Sequence, residues 1–167
     1  MLIYTGIIRK LNLTDDEIAQ VMGHEIAHAL AKHTAERMSV AMAQQAALQV
    51  GAILLGQDSA SSQIALQAAA AATTVGVQLP NSRQQEAEAD RIGIELAAKA
   101  GYDPHAAPRL WEKMMQATGG GGKSDFLSTH PASEKRMEAL TALIPQMLPF
   151  YEDKSARPVY AFKTASN

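Results

Sequence analysis

A mostly α-helical domain with a small β edge is the fold that this 167-residue chain predicts. Three observations predict it. Thr14-Asp-Asp-Glu17 is a capping box at the head of an apolar-periodic run. Gly56-Gln-Asp-Ser59 and Pro80-Asn-Ser82 cut a long Ala/Gln-rich stretch into helix-sized pieces. Ile3, Tyr4, Thr5, Ile7 and Ile8 form a short β-prone segment near the start.

Composition narrows the function classes. With 47% hydrophobic and 19% charged residues the chain can bury a core. Fifteen Lys and Arg against seventeen Asp and Glu give a net charge of -2, which argues against a nucleic-acid binder. The absence of cysteine excludes a disulfide scaffold, a thiol nucleophile and any Cys-ligated metal. It assigns no compartment.

Residues 2–8 read as a strand ending near Arg9. The start lacks a basic region and a small-residue cleavage site, so it does not read as a secretory signal. After Thr14, Ile18, Val21, Met22 and Ala29 share one face of a helix expected to run to about Ser39. Residues 40–56 and 60–78 read as a helical hairpin packed by small side chains, with a mobile lid as the alternative. No run of 18 or more apolar residues occurs, so no bilayer span is expected. The closest stretch, residues 41–80, holds Asp58 as its only charge but is broken up by Gln and Ser.

Ser82 and Gln85 read as a second capping box. It opens a helix with Ala89, Ile92, Leu96 and Ala100 inward and a stop at Gly101. Asp103-Pro104 opens another, lined by Leu110, Trp111 and Met114. Gly119–Gly122 is a loop and not a phosphate cradle, because no Lys-Ser/Thr follows in P-loop spacing. Pro131 opens the last helix, with Met137, Leu140, Ile144 and Met147 inward. Residues 1–150 are read as one domain and 151–167 as a polar tail.

The chemistry lies in His24-Glu25-Ile26-Ala27-His28. On a helix His24 and His28 sit about 40° apart around the axis and about 6 Å along it, so both imidazoles reach one ion. Glu25 is about 100° round from His24. It is placed to lean over an open coordination position as general base for a metal-activated water. A catalytic zinc takes a third protein ligand. Cysteine is absent, and Ala31 and Thr34 stand where a metzincin needs Gly and His. His33 is about 140° round from His28 and reads as structural. The remaining source is Arg83-Gln-Gln-Glu86-Ala-Glu88-Ala-Asp90. Glu86 and Asp90 share a face, while Glu88 is about 200° from Glu86 and points away. Glu86 is therefore the expected ligand. Asp90 is expected to accept the Nδ1–H of His24 and fix its tautomer.

His-Glu-Ile-Ala-His (24–28), Glu-Ala-Glu-Ala-Asp (86–90) and Leu-Ser-Thr-His-Pro-Ala-Ser-Glu-Lys-Arg (127–136), in that order, resemble the gluzincin metallopeptidases of clan MA family forty-eight, the HtpX-like and CAAX-prenyl-protease-type enzymes. The resemblance runs from about Tyr4 to about Leu148. It implies a zincin-like fold, one Zn²⁺ per chain, and endopeptidase activity on internal peptide bonds. Soluble or lipoprotein members of the bacterial cell envelope look most similar. That implies a periplasmic location, unfolded or misfolded protein substrates, no nucleic acid, and membrane association only through an anchor outside this chain. Members carry further structure before the segment at 2–8, so a longer protein is expected. That segment is expected to pair with an extended substrate by strand addition.

The resemblance puts His130 at the edge of the zinc cleft. There it is expected to hydrogen-bond the oxyanion or the substrate carbonyl, and to fill the open zinc position when no substrate is bound. Arg136 heads a stripe with Leu140, Leu143 and Met147, so it is expected to be partly buried and to need an acidic partner. The acids of the Glu86–Asp90 helix are the candidates. The rival from another class is a zinc-bearing, chaperone-like assembly module without turnover, for which Glu25 would be superfluous.

Overall fold

The computed structural model describes residues 3, 5–56, 59–119, 130 and 133–152. Among them are seven α-helices and no strand. They are α1 (Thr5–Leu11), α2 (Asp15–Leu30), α3 (His33–Leu55), α4 (Ala60–Thr73), α5 (Leu79–Lys99), α6 (Ala106–Gly119) and α7 (Glu134–Glu152). A π turn, Thr74–Gln78, joins α4 to α5.

Among the described residues the expected β edge is not found: Thr5–Leu11 is helical. Ile3, Ile7 and Leu11 recur every fourth residue, and all three pack against the core. Tertiary burial of that stripe overrides the β preference of the isoleucines. The strand-addition route to substrate falls with the strand. Asn12 ends the helix with a left-handed φ of 45°, which its short polar side chain tolerates.

The Thr14 capping box forms as expected. Thr14 N–H donates to Glu17 Oε2 at 2.8 Å, and Glu17 N–H donates to Thr14 Oγ1 at 3.3 Å. Lys113 Nζ of α6 donates to the same Glu17 oxygen at 2.7 Å. The helix does not run to Ser39. It ends at Leu30, and Lys32 takes a left-handed φ of 58° before α3 starts at His33. Its inward face also differs. Glu17, Gln20, Val21, Gly23, His24, Ala27 and His28 are buried, while Ala29 is exposed. The helix turns its polar chemistry inward, against other polar groups.

Pro80-Asn-Ser82 does not break the chain, and Ser82 lies inside α5 rather than at a cap. The π turn just before Pro80 loosens the i→i+4 register where a proline's missing N–H would interrupt it. The ends of α5 and α6 follow the turn residues: Gly101 has φ 94°, and α6 starts at Ala106, two residues after Pro104. α7 continues to Glu152, two residues into the stretch expected to be a tail, and residues 153–167 lie outside the described residues. Gly120–Gly122 and Pro131 lie outside the described residues.

The core gathers Val21 of α2, Ile94 and Ala98 of α5, Leu110, Trp111 and Met114 of α6, and Leu140, Ile144 and Met147 of α7. On the last two helices Leu110, Trp111, Met114, Leu140, Ile144 and Met147 are buried as expected, and Met137 is partly buried. The α3–α4 hairpin stands outside this core. Val50, Ile53, Leu54, Leu55 and Ile64 are exposed, Ile53 and Leu54 to 77% and 79%. By length and composition α3 is long and apolar enough to cross a bilayer. The Gln and Ser content of residues 41–80 had suggested otherwise.

α2 and α5 cross with their backbones in contact. A Cβ on Gly23 would lie 2.5 Å from Gly93 O, and one on Gly93 would lie 2.7 Å from His24 N. Only glycine permits this approach, and it lies beside His24 and three residues after Asp90.

Candidate metal centre

The crossing brings one turn of α2 against one turn of α5, and the polar side chains of both turns meet. His24 Nε2 lies 3.1 Å from His28 Nε2 and 3.3 Å from Glu86 Oε2. His28 Nε2 lies 3.3 Å from Glu86 Oε1. His130 Nδ1 completes the cluster, 3.2 Å from His24 Nε2 and 2.9 Å from Glu86 Oε2. One ligand atom from each of these four residues falls within 4.8 Å of the rest.

This donor set fits zinc. Four donors at the corners of a tetrahedron with zinc–ligand bonds of about 2.0–2.1 Å are separated by about 3.3–3.4 Å. The separations among His24, His28, Glu86 and His130 named above run from 2.9 to 3.3 Å, taken to both Glu86 oxygens, and the four donors all lie within 4.8 Å of one another. Proton placement agrees. His24 Nδ1 lies 3.0 Å from Asp90 Oδ1, a carboxylate that favours the tautomer with the proton on Nδ1 and the lone pair on Nε2. That lone pair faces a second imidazole nitrogen and a carboxylate, an electron-rich cage that a cation relieves.

The electrostatics of the cluster follow from burial and from these contacts. Burial works to raise the Glu86 carboxyl, but His130, His24 and His28 hold it far below the usual carboxylate range. Burial likewise opposes ionised Asp90, and the His24 and Arg136 hydrogen bonds bring it down regardless. Burial pushes His28 down, favouring the neutral imidazole that a metal binds. It also opposes the charged form of His24, yet the Asp90 and Glu86 carboxylates raise that group.

Around the cluster, Arg136 grips Asp90 with a fork: Nε to Oδ2 at 2.8 Å and one terminal nitrogen to Oδ1 at 2.7 Å. Its other terminal nitrogen is 3.2 Å from Glu86 Oε2. The guanidinium stacks 3.8 Å over the Trp111 ring, which leaves the side chain 12% exposed. Glu25 is not one of the converging groups; its Oε1 lies 3.4 Å from His130 Nε2 at the rim.

The structure thus brings together all seven singled-out residues: His24, Glu25, His28, Glu86, Asp90, His130 and Arg136. Glu88 points away from Glu86 and is 55% exposed. Three groups were missed. Arg37 donates to Gln85 Oε1 at 2.6 Å and to Glu86 Oε1 at 3.3 Å. Gln85 is buried one turn before Ala89; of the inward face expected for this helix only Ala89 is fully buried, Ile92 and Leu96 are partly so and Ala100 is exposed, because the helix turns Ile94, Ala97 and Ala98 to the core instead. His33 is buried against His28, where an unbroken helix would not have put it.

The model of Peptidase family M48 matches residues 1–144. The mitochondrial metalloendopeptidase OMA1 of Schizosaccharomyces pombe is 38% identical over 133 residues, 79% of this chain and 37% of that protein. The beta-barrel assembly-enhancing protease of Escherichia coli K12 is 33% identical over 145 residues, 84% of this chain and 30% of that protein. The human mitochondrial metalloendopeptidase OMA1 is 32% identical over 166 residues, 95% and 31% respectively. The chain therefore spans about a third of the length of these relatives. No solved structure matches. Zinc is the cofactor that suits both the donor set and these metallopeptidase relatives. Matched sequence over most of its length places the chain in peptidase family M48.

Proposed function

We propose that the chain is the catalytic core of a zinc metalloendopeptidase that hydrolyses internal peptide bonds of unfolded or misfolded proteins in the bacterial cell envelope. The observation that carries this reading is the convergence of the His24, His28 and His130 imidazoles on the Glu86 carboxylate, with a second carboxylate, Glu25, at the rim. His24, His28 and Glu86 hold the ion. When bound, zinc polarises the scissile carbonyl and stabilises developing negative charge. Glu25 takes a proton from the attacking water and passes it to the leaving nitrogen. Asp90 orients His24, and Arg136 holds Asp90. The envelope location takes its support from the Escherichia coli relative, whose name ties it to β-barrel assembly. The chaperone-like alternative shares the metal site but gives Glu25 nothing to do.

Purified protein incubated with an unfolded, fluorescently labelled protein is the test. Cleavage that stops with a chelator and returns with zinc supports the reading; zinc-loaded protein without turnover supports the assembly module. Zinc content separates the acids. Glu86→Ala is expected to lose the metal and Glu88→Ala to retain it, because Glu86 faces His24, His28 and His130 while Glu88 reaches only His33. Asp90→Asn should be milder, with affinity or activity down about 10–100-fold. Loss from the Glu88 variant with retention in the Glu86 variant would reverse the assignment.

His130 has two roles in this reading. Its Nδ1 would add a donor to those of His24, His28 and Glu86 without substrate, and the ring would hydrogen-bond the carbonyl oxygen once substrate enters. His130→Ala should change turnover and leave zinc in place. Unchanged cleavage of the unfolded protein by that variant would remove His130 from the mechanism.

A further inference from the structure

His33 has no part in the chemistry so far, yet it is buried to 2% exposure directly behind a proposed ligand. The break between α2 and α3 puts it there. Ala31 caps α2, Lys32 turns left-handed, and α3 begins with His33 in a new direction. The ring swings back so that its Nδ1 lies 2.8 Å from His28 Nδ1, the two rings edge to face. Its Nε2 lies 3.3 Å from Glu88 Oε2.

Two ring nitrogens at that distance share one proton. His28 can offer Nε2 to a metal as a neutral ring only if its own proton is on Nδ1. His33 Nδ1 must then be the acceptor, and its proton must sit on Nε2, where the Glu88 carboxylate receives it. Every proton in the chain from Glu88 through His33 to His28 has one place. His24 receives the same service directly from Asp90.

We propose that His33 is a positioning residue for the metal: it fixes the ring orientation and the Nδ1–H tautomer of His28, and Glu88 fixes His33 in turn. This rests on the reading of His28 as a zinc ligand. Glu88, mostly exposed, is the weak end of the chain, so its removal costs less than removal of His33.

Two substitutions of His33 separate positioning from packing. Asn is smaller but can place a carbonyl oxygen where Nδ1 now lies. Phe fills the volume and offers no acceptor. A packing role ranks His33→Phe above His33→Asn; a positioning role ranks them the other way. Zinc affinity of the chain is measured by competition with a chromophoric chelator, with Co²⁺ absorption as a spectroscopic report on the ligand field and the melting point of the metal-free protein as a fold check. The expected result is zinc binding by His33→Asn within a few-fold of the parent, and weakening by about 10–100-fold in His33→Phe, as for loss of a ligand's outer hydrogen bond. Co²⁺ bands should change in the Phe variant alone. Equal affinities in both variants, or tighter binding by Phe, would overturn the proposal. A parent protein that binds no zinc would overturn the metalloendopeptidase reading as well; tight parent binding with an unaffected Phe variant would overturn the His33 role alone.

Discussion

Glu25→Gln is expected to keep zinc content and melting temperature and to lose hydrolysis, by about 10²–10⁴ or more in rate. The geometry separates the two properties. Glu25 stands outside the converging donors, and its side chain is 27% exposed, so its charge supports neither metal binding nor the core. The His130 Nε2 contact at 3.4 Å survives with an amide oxygen in place of the carboxylate. What Gln cannot do is accept a proton from water at neutral pH. Turnover and metal content are read on the same preparation, with chelator-insensitive cleavage subtracted as contamination. Near-parental turnover would show that another base does the work. Loss of zinc together with activity would show that Glu25 holds the metal.

The site was more legible than the path that builds it. His24 and His28 follow from helical spacing alone, and Glu86 from sharing a face with Asp90; both depend only on local geometry. Arg136 was legible because a charge heading an apolar stripe has to find a partner, and it finds Asp90 and Glu86. His33 was misplaced because its position depends on a left-handed residue at Lys32, which no Gly or Asn announces. The segment at 2–8 was misread because alternation and fourfold spacing coincide over so few residues. Only the core that Ile3, Ile7 and Leu11 meet decides between them. Pro80 looked like a boundary because the π turn that accommodates it leaves no mark in composition.

Gly23 and Gly93 are silent in the sequence for a similar reason: a glycine inside a helix announces a weak point, and only the partner helix shows why it is there. Gly93→Ala is the second large effect expected. The added methyl would lie 2.7 Å from His24 N, 2.9 Å from Gly23 C and 2.9 Å from His24 Cα, all of them backbone atoms. No side chain can rotate aside, so α2 and α5 must separate. The separation acts on the turn that carries His24 and on the one that carries Asp90. A metal site tolerates displacements of only about 0.5 Å in its ligands. Zinc binding should therefore fall steeply, and stability should drop by at least the ~1–3 kcal/mol typical of an overpacked core. Gly6→Ala is the control. It lies in α1 with nothing within 4 Å of the new methyl, and alanine's higher helix propensity should leave stability equal or slightly higher. Thermal melts and zinc titrations of the two variants decide the matter. A Gly93 variant that melts with the parent and binds zinc as tightly would mean that the helices can part without moving the ligands, and that the glycine pair does not set the geometry of the centre.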